Sequence, residues 1–192
     1  MALVSTVEAW PPAGLPFTVD ELDRMPDDGR RYELLDGALI VSPRPATPHQ
    51  EVAAELLVVL RQACPHELRA FHEPAVQLSR QTEFDPDLVV VRRDQVGAAK
   101  VTEPPLLVVE VRSPSTALID LNRKKTAYEA FGVASYWIVV PDKDQPELIV
   151  FELRDGKYEQ VAQVTGDQAF IAKRPFPVEV SPARLVAGLF TD

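Results

Sequence analysis

The sequence has few of the residues that mark several classes of protein. Its single cysteine, Cys64, excludes an internal disulfide framework and a cysteine-rich zinc site. No apolar run approaches the roughly 20 residues of a membrane-spanning helix. The N-terminus has no basic segment followed by an apolar one, so no secretory signal is visible. These absences predict a soluble, cytoplasmic protein.

Positive charge is also scarce. The chain has 20 Lys and Arg residues against 29 Asp and Glu residues, for a formal net charge of −9. A protein with this balance does not coat DNA or an anionic membrane through bulk charge. A local basic groove remains compatible with it.

Glycine-rich phosphate-binding motifs are absent. Neither G-x-G-x-x-G nor G-x-x-x-x-G-K-[ST] occurs, which argues against a doubly wound nucleotide-binding fold. The hydrophobic share of 46% is sufficient for a full core. At roughly 150 residues per domain, the length predicts one domain, placed at 17–192 after a proline-containing N-terminal arm at 1–16.

Cap and turn residues predict the elements. Thr18 and Glu21 form a capping box for a helix at 18–24. Asp36-Gly37 and Asp155-Gly156 are two-residue hairpin turns. Thr47-Pro48 gives an N-cap followed by proline at the first helical position. The predicted helices are 48–64, 117–131 and one beginning at Ser181-Pro182, and the predicted strands include 31–35, 38–42, 68–73, 75–79, 87–92, 106–112, 136–140, 148–153 and 158–164.

This order of elements predicts an α/β or α+β domain with a mixed central β-sheet flanked by helices. The runs Leu88–Val91 and Leu106–Val109 are continuously apolar, which is typical of strands buried on both faces of a sheet.

Two carboxylates interrupt these buried strands. Asp87 opens one apolar run, and Glu110 lies inside the other. If the two strands are neighbours, the carboxylates converge and repel each other unless a cation lies between them. Oxygen ligands of this kind suit Mg²⁺ or Mn²⁺. The alternatives are an ordinary strand-start residue for Asp87 and a structural salt bridge, to Arg112 or to a lysine, for Glu110.

The helix at 117–131 adds polar groups on one face. Asp120, Lys124 and Tyr128 are spaced i, i+4, i+8. A lysine facing metal-bound carboxylates can stabilise the charge of an attacked phosphate. The alternative is an exposed ion pair between Asp120 and Lys124. Arg112 lies two positions after Glu110, on the same face of its strand.

Together these residues resemble a known family. The similar segments are Pro86-Asp87, Val109–Thr116, Asp120-x-x-x-Lys124-x-x-x-Tyr128, Gly132-Val133, Tyr136-Trp137, Tyr32-Glu33-Leu34-x-Asp36-Gly37 and Pro48-His49. They resemble the Uma family of restriction endonucleases, a bacterial branch of the PD-(D/E)XK nuclease superfamily. The resemblance covers about residues 17–180.

The resemblance implies a restriction-endonuclease-like fold and Mg²⁺-dependent hydrolysis of DNA phosphodiester bonds, with Mn²⁺ as the alternative ion. It assigns Asp87 and Glu110 as catalytic metal ligands. The superfamily carries a lysine two positions after the acid, where this chain has Arg112. Arginine stays protonated and cannot act as a general base, so the resemblance implies that the lysine role has moved to Lys124.

Supporting roles follow from the same resemblance. Glu33 corresponds to an additional acid near the N-terminus of the superfamily, although a surface position in a hairpin is the alternative. Asp120 and Tyr128 would orient Lys124 or the metal shell. His49 would contact a phosphate or line the cleft, unless it is an exposed residue of a first helical turn. The resemblance and the small size also imply a homodimer.

Two other functions stay open. The first is a non-catalytic nuclease-fold module that binds nucleic acid or a protein partner, which the negative charge and the missing on-strand lysine favour. The second is a different metal-dependent enzyme with a similar acidic site.

Overall fold

The structure, a computed structural model, describes residues 15–112 and 118–189, with side chains for all of these except 118–121. The helices are α1 (Val19–Leu22), α2 (Thr47–Ala63), α3 (Leu118–Phe131) and α4 (Pro182–Leu185), with a 3-10 turn at Arg93–Gln95. The strands are β1 (Arg30–Leu35), β2 (Ala38–Pro43), β3 (Leu68–His72), β4 (Val76–Ser79), β5 (Thr82–Phe84), β6 (Leu88–Arg92), β7 (Leu107–Val111), β8 (Ser135–Val140), β9 (Glu147–Arg154), β10 (Lys157–Thr165), β11 (Phe170–Ala172) and β12 (Val178–Val180). Of the predicted arm at 1–16, residues 1–14 lie outside the described residues.

Local capping and turn chemistry places the first elements. The Thr18 backbone N–H donates to Glu21 Oε2 at 2.7 Å, as the capping box predicts. Asp36 and Gly37 have φ of 50° and 78°, and they join β1 to β2 with Leu35 opposite Ala38. Positive φ at both positions is the signature of a type I′ hairpin turn.

The start of α2 differs from the prediction. Its N-cap is Ala46, in extended conformation, and Thr47 is the first helical residue, so the prediction that Thr47 is the N-cap is wrong. Pro48 is still accepted because the first turn of a helix does not use its backbone N–H groups internally. The helix ends at Ala63, one residue before the predicted end.

The described strands form three sheets. The largest has the order β10-β9-β8-β7-β6-β3, and the smaller two have the orders β2-β1-β5-β4 and β11-β12. β7 and β8 are parallel, because α3 connects them as a crossover, while the other pairs of the large sheet are antiparallel. This mixed sheet with helices is the fold class that the sequence predicts, and the prediction is confirmed.

The large sheet is covered on both faces. On one face α2 packs Val52 and Leu56 against a cluster that includes Val90 and Val109. On the other face Tyr128 of α3 belongs to a separate cluster with neighbouring strand residues. Strands β6 and β7 are thus buried on both faces, and any charged side chain in them needs a partner. Within the described part of the chain, no helix is both long and apolar enough to cross a bilayer.

The two Asp-Gly turns provide a matched pair for testing the fold. Gly37 and Gly156 both have φ of 78°, but a Cβ at Gly37 would lie 2.4 Å from Pro16 Cβ, whereas nothing lies within 4 Å of a Cβ at Gly156. We expect Gly156→Ala to cost about 1–2 kcal/mol for the left-handed conformation. Gly37→Ala should cost about 1–3 kcal/mol more because of the clash. Urea denaturation measures both losses, and equal losses would contradict the contact between Gly37 and Pro16.

Candidate active site

Asp87 and Glu110 are brought together by adjacent central strands. β6 and β7 are antiparallel, with Leu88 opposite Val109. The same register places Asp87, which precedes β6, opposite Glu110, and opposed residues point to the same face. Asp87 is 1% exposed and Glu110 is 5% exposed. Both carboxylates therefore depend on charged or hydrogen-bonding neighbours.

Lys124 of α3 supplies the cation at Glu110. Its Nζ lies 3.4 Å from Glu110 Oε1 and 2.7 Å from Glu33 Oε1. The same Nζ is 5.3 Å from the centre of the Phe84 ring, within cation–π range. Lys124 is buried, which excludes the alternative of an exposed ion pair for this residue. The side chain of Asp120 lies outside those that the structure describes.

Tyr128, one helical turn after Lys124, also holds the Glu110 carboxylate. Its hydroxyl donates to Glu110 Oε1 at 3.1 Å, and its ring packs 5.3 Å from that of Phe84 and 5.5 Å from that of Tyr136. Burial, together with the charge of Glu110, raises the pKa of Tyr128 well above its ordinary value. The phenol therefore remains a neutral donor.

Glu33 joins the small sheet to this cluster. It is buried in β1, and its Oε1 accepts hydrogen bonds from Lys124 Nζ at 2.7 Å and from the backbone N–H of Asp85 at 3.0 Å. The alternative of a surface hairpin residue is excluded by this burial. Glu33 positions the lysine amine between itself and Glu110.

Asp87 is held by three groups. Its Oδ2 accepts the Val111 backbone N–H at 2.6 Å and faces His49 Nε2 at 3.2 Å, while Oδ1 lies 3.6 Å from the Arg31 guanidinium. Burial alone would raise the pKa of Asp87, but these neighbours hold it below its ordinary value. Burial opposes a charge on His49, yet Asp87 raises the pKa of the imidazole. His49 is 8% exposed, which excludes an exposed first-turn residue.

The cluster carries more negative than permanent positive charge. Its carboxylates are Glu33, Asp85, Asp87 and Glu110, and its permanent cations are Arg31 and Lys124. Burial first, and then Asp87 and Glu33, raise the pKa of Glu110 to about 7 against the opposing effect of Lys124. Burial and the neighbouring acids likewise raise the pKa of Asp85 to about 6. The site therefore favours an additional cation.

Arg112 does not join this cluster. It follows β7, and its backbone N–H donates to the Val139 carbonyl at 2.7 Å. The ion pair at Glu110 is made by Lys124, not by Arg112, among the side chains described here. The continuation of the motif at 113–117, which includes Ser113–Thr116, lies outside the described residues.

Arg31 is a site residue that the sequence prediction missed, and Asp85 is a member of the cluster to which it assigned no role. Arg31 and Glu33 are two apart on β1, so they share a strand face, which is the signal that could have identified Arg31. Asp85 is two residues before Asp87, and its side chain lines a cleft together with Arg31. Their closeness to Asp87 and Glu110 depends on how the two sheets meet.

The donor set fits a hard divalent cation. Asp87 Oδ1 is a buried oxygen without a hydrogen-bond donor among the described residues. No three His, Cys, Asp or Glu side chains in that part of the chain converge closely enough to hold an ion by themselves. Mg²⁺ commonly takes one or two carboxylates and completes its shell with water and substrate oxygens, so Asp87 and Glu110 are a sufficient protein contribution.

The raised pKa of Glu110 predicts how stability depends on pH without metal. Between an ordinary carboxyl pKa and about 7, the folded protein holds a proton on Glu110 that the unfolded chain has lost. Unfolding free energy should therefore fall as pH rises through this range, and the raised pKa values of Asp85 and His49 act in the same direction.

Glu110→Gln removes the titrating group and should reduce this fall by on the order of 2 kcal/mol between about pH 5 and about pH 8. Denaturation in a chelator at both pH values measures the difference, and Glu152→Gln on β9 serves as a control. A variant whose stability falls as steeply as that of wild type would show that Glu110 does not carry the raised pKa.

A solved structure has the same fold. It is the crystal structure of a putative nuclease belonging to DUF820 from Anabaena variabilis ATCC 29413, with a TM-score of 0.72 at 19% sequence identity. The alignment covers 91% of this chain and 100% of that one. At this identity the similarity shows the fold alone. The curated proteins contain no match to the chain.

A family model described as Uma2, putative restriction endonuclease, matches residues 19–187. The matched range includes Asp87, Glu110 and Lys124. The resemblance predicted from the sequence is confirmed, and the chain belongs to the Uma2 family.

Proposed function

We propose that the protein is a Mg²⁺-dependent endonuclease that hydrolyses phosphodiester bonds in DNA. The observation that supports this most directly is the convergence of two buried strand carboxylates with one buried lysine amine, 3.4 Å from Glu110. The excess of carboxylates over permanent cations in the cluster supports the metal dependence. The family description supports the class of reaction.

Asp87 and Glu110 would hold the cation, with Mn²⁺ as an alternative to Mg²⁺. A divalent ion at such a site lowers the pKa of a water molecule and polarises the phosphate. His49 and the Val111 backbone N–H hold Asp87 Oδ2, so the other oxygen of that carboxylate faces Arg31. Tyr128 holds Glu110 in the same way. These contacts reduce the reorganisation that the carboxylates need on binding a cation.

Lys124 would stabilise the negative charge that develops on the phosphate during attack by water. Its amine is fixed by Glu33 and lies against Glu110, so it is oriented before substrate arrives. A helix lysine can take this role because α3 packs on the sheet face toward which Glu110 points. Among the described side chains, Glu110 forms its ion pair with Lys124 and not with Arg112.

Two copies of the chain related by a twofold axis would place one site on each strand of a duplex. We therefore propose a homodimer as the form that makes double-strand cuts.

We expect Asp87→Asn, Glu110→Gln and Lys124→Met each to lower the rate of plasmid cleavage in Mg²⁺ by about 100-fold or more. The first two remove a charge that would hold the cation, and the third removes the charge that would stabilise the attacked phosphate. Arg112→Met should lower it by less than about tenfold if Lys124 holds the lysine role. Supercoiled-plasmid nicking in Mg²⁺ and in a chelator measures these rates.

The exposed Asp20→Asn is the control for the acids, and Lys143→Met is the control for Lys124. Wild-type protein that binds DNA without cutting it would support the alternative function, a non-catalytic nucleic-acid-binding module. A large loss in Arg112→Met with little loss in Lys124→Met would instead assign the cationic role to Arg112.

Cation binding itself is a separate prediction. Calorimetric titration with Mn²⁺ should give one site or two per chain in wild type, and the Asp87→Asn, Glu110→Gln double variant should bind on the order of 100-fold more weakly. Retained affinity in the double variant, with circular dichroism showing a folded protein, would place the cation elsewhere. The Asp27→Asn, Asp28→Asn variant changes the net charge equally and should bind Mn²⁺ like wild type.

A further inference from the structure

A second feature lies beside the carboxylate cluster. A cleft of about 400 Å³ is lined by Arg30, Arg31, Arg44 and Gln50, together with Glu73 and Asp85. The chain has only 20 Lys and Arg residues, so three arginines along one cleft are a local concentration of guanidinium groups, each of them beside an acid. Asp85 lines the cleft and lies two residues before Asp87, so the cleft opens onto the cluster.

Arg31 belongs to both features. Its guanidinium forms an ion pair with Glu73 in the cleft, and it lies 3.6 Å from Asp87 Oδ1 in the cluster. Glu73 is held in place by its backbone N–H, which donates to the Asp87 carbonyl at 3.0 Å. Its backbone has a φ of 47°, in the left-handed region. A residue other than glycine in this conformation is unfavourable and persists where surrounding contacts impose it. Arg31 is thus held at the boundary between cleft and carboxylates.

The outer arginines are exposed, and each is paired with an acid. The Arg30 side chain is 57% exposed and pairs with Asp28, and the Arg44 side chain is 70% exposed and lies 3.4 Å from Asp27. Exposed ion pairs are weakened by water and salt, so a competing anion can replace the carboxylates. The guanidinium group presents paired N–H donors that match the oxygens of a phosphate.

We propose that this arginine cleft binds the backbone phosphates next to the scissile bond, with Arg31 linking the bound backbone to Asp87. This inference rests on the proposed nuclease function, since it assigns the cleft to the substrate of that site. A cation at Asp87 would repel Arg31 from Oδ1, and the guanidinium could then meet a phosphate in the cleft. The cleft would recognise phosphate charge, not base sequence.

The test compares two double variants that change charge equally. Arg30→Ala, Arg44→Ala removes the outer cleft arginines, and Arg154→Ala, Arg184→Ala removes arginines of similar exposure, 51% and 79%, away from the cleft. Binding of a labelled DNA duplex is measured by fluorescence anisotropy in a chelator, from about 50 mM to about 200 mM salt. We expect on the order of tenfold weaker binding and a salt slope reduced by up to about 2 for the cleft variant.

A duplex with neutral methylphosphonates in place of phosphates separates charge from other contacts. It should bind wild type and the cleft variant equally, because the contacts that differ between them are lost. Arg31→Lys keeps the charge but not the paired donors. Because a cation at Asp87 is needed to release Arg31, this variant is compared in Mn²⁺ in the cleavage-deficient Lys124→Met background, where it should weaken binding of the normal duplex. Equal affinities and slopes for the two double variants would overturn the inference.

Plasmid cleavage and DNA binding are measured separately. If the cleft variant cuts plasmid in Mg²⁺ with unchanged KM, the inference is overturned while the nuclease function stands. If wild type binds through these arginines but does not cut, the nuclease function is refuted while the cleft assignment is supported.

Discussion

The structure of the site depends on one buried amine. Lys124 Nζ contacts Glu33 Oε1 at 2.7 Å and Glu110 Oε1 at 3.4 Å, which are separated from it in sequence by 91 and 14 residues. The contacts therefore join α3, β1 of the small sheet and β7 of the large sheet. Each buried ion carries a desolvation cost of several kcal/mol, and removing one partner leaves the others uncompensated. The geometry of the site and the packing of α3, β1 and β7 therefore depend on the same contacts.

That constraint explains the arrangement of the central strands. The parallel pair β7 and β8 requires a crossover, and α3 is that crossover, so it must return across the face to which Glu110 points. A lysine on its inner surface reaches Glu110 without occupying a position on the strand. Under the proposed function, the strand position two residues beyond Glu110 would not need a lysine, and Arg112 occupies it. A cation on the crossover helix would then take the place of one on the strand.

The features predicted from sequence are those that depend on nearby residues. The Asp36-Gly37 turn, the apolar strands and the i, i+4 spacing of Lys124 and Tyr128 have local causes, and the register of two neighbouring strands brings Asp87 and Glu110 together. The contacts of Arg31 with Glu73, 42 residues away, and with Asp87 depend on how two sheets meet, which no local pattern determines. The predicted start of α2 is misplaced because Pro48 fits either the first or the second position of a helix, so the proline does not determine which residue precedes the first turn.

The net charge of −9 is compatible with an anionic substrate once the distribution of charge is considered. Burial first, and then the neighbouring acids, raise the pKa of Glu110 to about 7, and the excess of acids favours a cation at the same place. Three arginines line the neighbouring cleft, each beside an acid that holds it until a stronger anion is present. Elsewhere the negative surface repels a polyanion. A backbone phosphate would therefore be attracted to the cleft and to a metal-loaded cluster. DNA should consequently bind at this site in strong preference to the rest of the protein surface.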